Sequence, residues 1–286
     1  MSLKKLVKGF LPTPVAQLLG RLLYRNYENF YWNRTPTPYV SDFFLYRKKG
    51  YETQFVLENT ISLLTDTPIS CDHKLTFFDR TGNLCGELSH SSIEKHVSLK
   101  VLEADGQLDD YGGFVHSTNY KSINKAQQIE IEKIGLPRQH RGYAGYRYLK
   151  QNNQDAFSIV HGNFGALSLD KHGKIIHQAA IRKPFCYVPQ YIFGDNYKYE
   201  LCFLNHASKT IEVAIYGMVP TENDIKLADF EIPSMGAHIF EFSPSNLPTM
   251  GKSNCIYWVS KLPTFRAICF EHSLSSSPQI FNSFHT

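Results

Sequence analysis

Tyr199-Glu200-Leu201-Cys202-Phe203-Leu204-Asn205 decides the fold. A short apolar run closed by a turn residue reads as a strand. The chain beyond it keeps that character: residues 210–217, 225–232, 239–242, 255–261 and 263–272 are short runs of alternating, aromatic or β-branched residues. The first half offers the same succession in residues 51–59, 74–78, 97–102, 112–117 and 141–148. The tails correspond as well, with 143–148 followed by 157–161 and 265–270 followed by 280–285. Many short strands separated by turn residues point to sandwiches or barrels. The fold expected is all-β, with two tandem β-sandwich-like units and an N-terminal amphipathic helical arm. The arm takes residues 1–34, the first unit with a long loop insertion 35–182, and the second unit 183–286. A single large sandwich with a long return loop is the alternative. One stretch after the arm, residues 122–134, has a helical pattern ending at Gly135-Leu136-Pro137, within a long loop.

Length and composition agree with this. The chain has 286 residues, of which 42% are hydrophobic and 20% charged, so it can bury a core. Its apolar runs fall short of the ~20 residues that cross a bilayer, and Pro12 and Pro14 interrupt any signal-like stretch. The net charge of +4 is uneven. Lys4, Lys5, Lys8, Arg21, Arg25 and Arg34 against Glu28 give the first 34 residues +5, which leaves −1 for the rest. A nucleic-acid binder spreads its basic stripe over the folded domain, so nucleic acid is not an expected partner. The six cysteines form no C-x-x-C pair and several lie in apolar runs, which suits buried reduced thiols in a cytoplasmic protein. In the arm, Leu3, Leu6, Val7 and Phe10, then Val15, Leu18, Leu19, Leu22 and Leu23, recur at helical spacing. Such a segment packs on the body or a partner subunit, or lies on an anionic membrane surface as a peripheral contact.

The second unit resembles the small β-sandwich of the sensory rhodopsin transducer family. The likeness rests on the Leu204-Asn205 turn, the alternating strand 211–216, the turn 233–238 feeding an aromatic strand, and the spacing of Val259, Pro263 and His272. It covers about a third of the chain, with a looser echo in the first unit. The resemblance implies a binding protein with a role in protein signalling or sugar recognition, and no catalytic motif.

No nucleophile elbow, phosphate loop, dinucleotide fingerprint or H-E-x-x-H occurs. The chemistry-bearing residues concentrate in His116, His140, Arg141, Tyr143, Tyr146, Arg147, His161 and Asn163. Arginine forks bind carboxylate or phosphate, tyrosines stack on sugar faces, and nearby glycines admit a ligand to the backbone. These eight are the expected ligand-binding set, between the units, for a carbohydrate-like or anionic molecule. The competing reading makes Tyr143 and Tyr146 core and rim residues of one strand. His116, His140 and His161 have no H-x-H pair or telling acid, so neither metal nor cofactor is expected. His161 and His285 occupy equivalent ends of the repeated tail, as residues bonding a backbone carbonyl. Asp109, Asp110 and Glu58 read as solvated acids. The functional expectation is a non-catalytic binding or assembly protein, recognising a carbohydrate-like or anionic ligand or a protein partner, and homo-oligomeric because sandwich edges need cover. The alternative is an enzyme acting on a sugar or nucleotide-sugar, with a histidine as general base and Arg141 or Arg147 holding the anion.

Overall fold

The computed structural model describes residues 39–59, 62–63, 68–121, 124–125, 142–149, 157–169, 174–177, 184–219, 223–247, 255–262, 265–274 and 281–286. The arm at 1–34, His140, Arg141 and nearly all of 122–134 lie outside them. The first half contributes β1 (Tyr39–Arg47), β2 (Tyr51–Glu58), β3 (Cys71–Asp79), β4 (Leu84–Ser92), β5 (His96–Lys100), β6 (Asp105–Gly106), β7 (Tyr111–Tyr120), β8 (Gly142–Tyr148), β9 (Ser158–His161), β10 (Asn163–Leu169) and β11 (Ile175–His177). The second contributes β12 (Phe185–Tyr187), β13 (Tyr197–Leu204), β14 (Ile211–Gly217), β15 (Ile225–Ile232), β16 (Ala237–Phe242), β17 (Ile256–Ser260), β18 (Ile268–Ser273) and β19 (Phe281–His285). The described chain is all-β.

Four antiparallel sheets result. Sheet 1A runs β11-β10-β1-β7-β3-β4-β6 and sheet 1B runs β5-β2-β8-β9; sheet 2A runs β12-β17-β14-β15 and sheet 2B runs β16-β13-β18-β19. With β6, β10 and β11 set aside, each half has eight strands in one shared order. The first, sixth, third and fourth make one sheet, and the fifth, second, seventh and eighth make the other.

A repeated asparagine marks the correspondence. Asn59 and Asn205 each follow the second strand of their half, and both are fully buried. The Asn59 amide donates to Lys95 O at 2.8 Å, just before β5, as the Asn205 amide donates to Gly236 O at 3.0 Å, just before β16. Their Nδ2 groups donate to Ile69 O (3.0 Å) and Lys209 O (2.8 Å), each two residues ahead of the third strand. Their Oδ1 atoms accept from Ser62 N (3.1 Å) and Ala207 N (2.8 Å). Asn205 Nδ2 also faces Ile232 O and Pro233 O, at 2.9 and 3.0 Å. An amide carries donors and an acceptor together, so one side chain ties three chain segments where buried backbone groups need partners.

Sheets 2A and 2B enclose one core, around Trp258, Phe203, Phe265, Tyr199 and Phe193. Sheets 1A and 1B enclose another, around Phe43, Phe44, Phe55, Phe77 and Phe114. Cys202, Leu204, Ile268, Phe270 and Ala237 of sheet 2B also belong to that first core. Sheet 2B is therefore a shared layer: one face meets 2A, and the other closes an end of the first sandwich. This explains the almost continuous apolar run of β13, since every residue from Tyr199 to Leu204 is buried.

The β3–β4 hairpin completes the junction. Arg80 O accepts the Ala237 amide at 3.0 Å. Gly82 has φ +86°, and a Cβ on it would lie 1.9 Å from Ser234 O, so only glycine fits both the turn and the contact. All six cysteines are free. Asn205→Ala strips partners from several buried carbonyls, and the expected loss is about 2–3 kcal/mol in urea unfolding; a loss under about 0.5 kcal/mol would contradict the role given to Asn205.

Candidate functional site

Alternation along β8 divides the residues that sequence nominated. Tyr143, Gly145 and Arg147 point away from the core, while Ala144 and Tyr146 point into it. The ladder sets Val56, Gln54 and Glu52 of β2 beside the outward three, and His161 and Ile159 of β9 beside Tyr143 and Gly145. This outer face of sheet 1B carries specific contacts. The Tyr143 and His161 rings lie 4.6 Å apart. Arg147 is ion-paired with Glu52, and its Cζ sits 5.3 Å over the Phe157 ring, which covers Gly145. Ile159 is 58% exposed. Aromatic rings, an aliphatic side chain and a donor–acceptor pair thus share one open sheet face.

The other nominated residues lie inside. Tyr146 is fully buried, packs on Phe270 at 4.8 Å and donates its hydroxyl to Leu45 O at 2.8 Å. His116 is buried against His73, with 3.3 Å between Nε2 and Nδ1, and Thr118 Oγ1 is 3.2 Å from the same Nε2. His116 stands opposite Leu75 in β3 as Trp258 stands opposite Ile215 in β14, so it fills the position that the second half gives to its tryptophan. Asn163 is buried, and neither side-chain polar atom finds a partner among the described residues. His116 and His161 sit on opposite sides of sheet 1B and form no common set.

The repeat assigns a counterpart to each position on the open face. Counting back from Asn59 and Asn205 matches Gln54 with Glu200 and Val56 with Cys202. The ladders then match Tyr143 with Ile268, Gly145 with Phe270, Arg147 with His272 and His161 with His285. The expected equivalence of the two tail histidines holds in register. His285 Nε2 lies 2.6 Å from a backbone carbonyl, that of His161, so the two tails meet. Beside them, the Ser283 amide and hydroxyl lie 2.9 and 2.8 Å from Ser158 Oγ.

In sheet 2B this counterpart face is covered by the first sandwich, and four residues without a place in the sequence-based set hold it there. Arg47 Nη1 is 2.5 Å from Glu200 Oε2, with the two side chains 10% and 9% exposed. Tyr51 donates to Glu200 Oε1 at 3.2 Å and lies 2.9 Å from His272 Nε2. The Arg47 guanidinium also sits 4.3 Å over the Tyr51 ring. Burial pushes the Glu200 carboxyl up, but the His272 hydrogen bond and the Arg47 charge outweigh it and bring it down to about 2. Burial holds the Tyr51 phenol far above its ordinary value, so it stays a neutral donor. The signal available in sequence was Glu200 itself, a charge inside a run buried on both faces, which demands a cation from elsewhere.

Among the described residues no group of three His, Cys, Asp or Glu is placed to hold a metal ion, and no helix is long and apolar enough to cross a membrane. Compared with known proteins, the chain matches no family model, no curated protein and no solved structure. His73, the inward partner of His116, leaves a titration signature. Burial, with His90 nearby, lowers the His73 imidazole from 6.5 to about 4. The unfolded chain therefore binds the proton more readily, so this contribution is complete above pH 6.5 and declines as pH falls toward 4. The expected loss across that window is about 3 kcal/mol, and His73→Leu removes it. Superimposable stability–pH curves for the two proteins would contradict the buried placement of His73.

Proposed function

We propose that this chain is a non-catalytic binding and assembly module whose recognition surface is the outer face of sheet 1B, and that what it recognises is a protein surface. One observation carries the reading: the face at the equivalent positions of the second unit is already a docking face, seated on a sandwich end. Among the described residues no other sandwich is seated on this face of the first unit, which leaves it available to a partner.

The chemistry of the face suits a protein better than a small anion. Arg147 is answered by Glu52 across the ladder, so a free phosphate or carboxylate gains less there than at a lone guanidinium. The ion pair instead offers donors and acceptors side by side, while Tyr143, His161 and Ile159 supply the aromatic and aliphatic area typical of an interface centre. A flat sheet face also meets a broad partner more fully than it encloses a small ligand. The transducer-like pattern of the second unit agrees with binding rather than catalysis.

Hydroxyl-radical footprinting tests this whatever the identity of the partner. Tyr143 and His161 should oxidise readily in the dilute purified chain and be protected in an extract of the cells that express it. Equal oxidation in both would sink the recognition face. Protection by the low-molecular-weight filtrate alone would move the reading to a small carbohydrate.

A further inference from the structure

We propose that the partner is a second copy of this chain, docked head to tail: the open end of one copy's second sandwich seats on the outer face of sheet 1B of the next. This rests on the reading of that face as a recognition surface, and adds the identity of the occupant.

The internal junction supplies the template. There the outer face of sheet 2B presents Glu200, Cys202, Phe270 and His272 to an end of the first sandwich built from Arg47, Tyr51, Tyr146 and the β3–β4 hairpin. Among the described residues, the second sandwich offers counterparts to Arg47, Tyr51 and Tyr146 of that end. Tyr197 precedes Asn205 by the spacing that separates Tyr51 from Asn59, and Glu271 stands in β18 where Tyr146 stands in β8. Ile192 lies in the link into β13 as Arg47 lies at the link into β2. The two ends differ in cover. Tyr51 is 3% exposed, whereas Tyr197 is half-buried; the Arg47 side chain is 10% exposed, whereas Ile192, at 75%, is very open for an isoleucine.

Carrying the internal arrangement over pairs residues of matching chemistry. Arg147 takes the place of His272 and faces Tyr197 in place of Tyr51, a cation against an aromatic ring. Val56 replaces Cys202, which the Arg47 guanidinium reaches at 3.8 Å, and so meets Ile192. Gly145 replaces Phe270, and Phe157, which covers Gly145 and holds the register position of Phe281, supplies the ring on this face. Ile159 stands where Ser283 touches the neighbouring edge strand, which adds an exposed aliphatic side chain to the contact. The two surfaces are different patches on different units. Such a heterologous contact adds copies in a row unless its rotation closes a ring.

Sedimentation velocity of the full chain over a concentration series tests this, with Ile159→Glu and Ile192→Glu as variants. Both positions are exposed, so the variants should melt with the wild type. The wild type should grow beyond a dimer with concentration. Each variant, having lost one of its two surfaces, should stop at a monomer, and an equimolar mixture should form a dimer and nothing larger. A wild type that stays monomeric to its solubility limit would overturn the proposal, as would variants that associate like the wild type. Association abolished by Ile159→Glu but untouched by Ile192→Glu would mean a face-to-face contact and equally defeat the head-to-tail arrangement. A monomeric wild type whose Tyr143 and His161 are nonetheless protected in extract would remove self-docking alone and leave the recognition face standing.

Discussion

A carboxylate stands in the middle of β13, a strand buried on both faces, and the junction of the molecule follows from satisfying it. Glu200 cannot be solvated where it lies, and removing such a charge from water costs several kcal/mol unless a well-placed cation and hydrogen bonds answer it. The cation is Arg47, at the end of the first strand of the other sandwich, and Tyr51 and His272 supply the remaining contacts. Breaking one side of a buried pair typically costs about 3–5 kcal/mol, because the other charge is left unanswered. The cluster therefore does more than join surfaces that would otherwise slide. It fixes how the outer face of sheet 2B sits on the end of the first sandwich, and the tilted and edge-on rings of Tyr51, Tyr148, Phe270 and Phe281 fill the space around it.

The duplication gives the two outer faces different fates through a few substitutions at matched positions. Phe270, Glu200 and Cys202 turn one face into a layer that must be covered, while Gly145, Gln54 and Val56 leave the other able to stay in water. The strand order, the antiparallel ladders and the buried asparagine are common to both halves. What distinguishes the units lies on their faces, where a change of side chain costs the fold little. A protein made of two matched units has one junction already solved inside it, and the self-docking proposed above takes that junction as its template.

Much of the architecture was legible because β-structure writes itself with a period of two. The alternating runs, the repeated order of strands and the matched tails ending in His161 and His285 all followed from spacing, and the described chain bears out the all-β class. The site was legible only in part. Tyr143, Arg147 and His161 share an open face, yet Tyr146, three residues from Tyr143, points inward because neighbouring side chains alternate. His116 lies in a run, 112–117, that reads as a strand, but the alternation did not show that it occupies the core position of Trp258. Composition could not reveal that, because burial there depends on what sheet 1B lays over it. The Arg47–Glu200 pair joins residues far apart in sequence, and no local pattern connects them.

Native-state hydrogen exchange measures the central claim most directly, that sheet 2B binds the two sandwiches into one cooperative body. If it does, the slowest amides of β2 and β8 and those of β13 and β14 exchange through one global opening with the same free energy. Arg47→Met then lowers both sets together. Two separate free energies, with Arg47→Met moving only the first sandwich or neither, would mean that the units unfold independently and that the buried cluster does not join them.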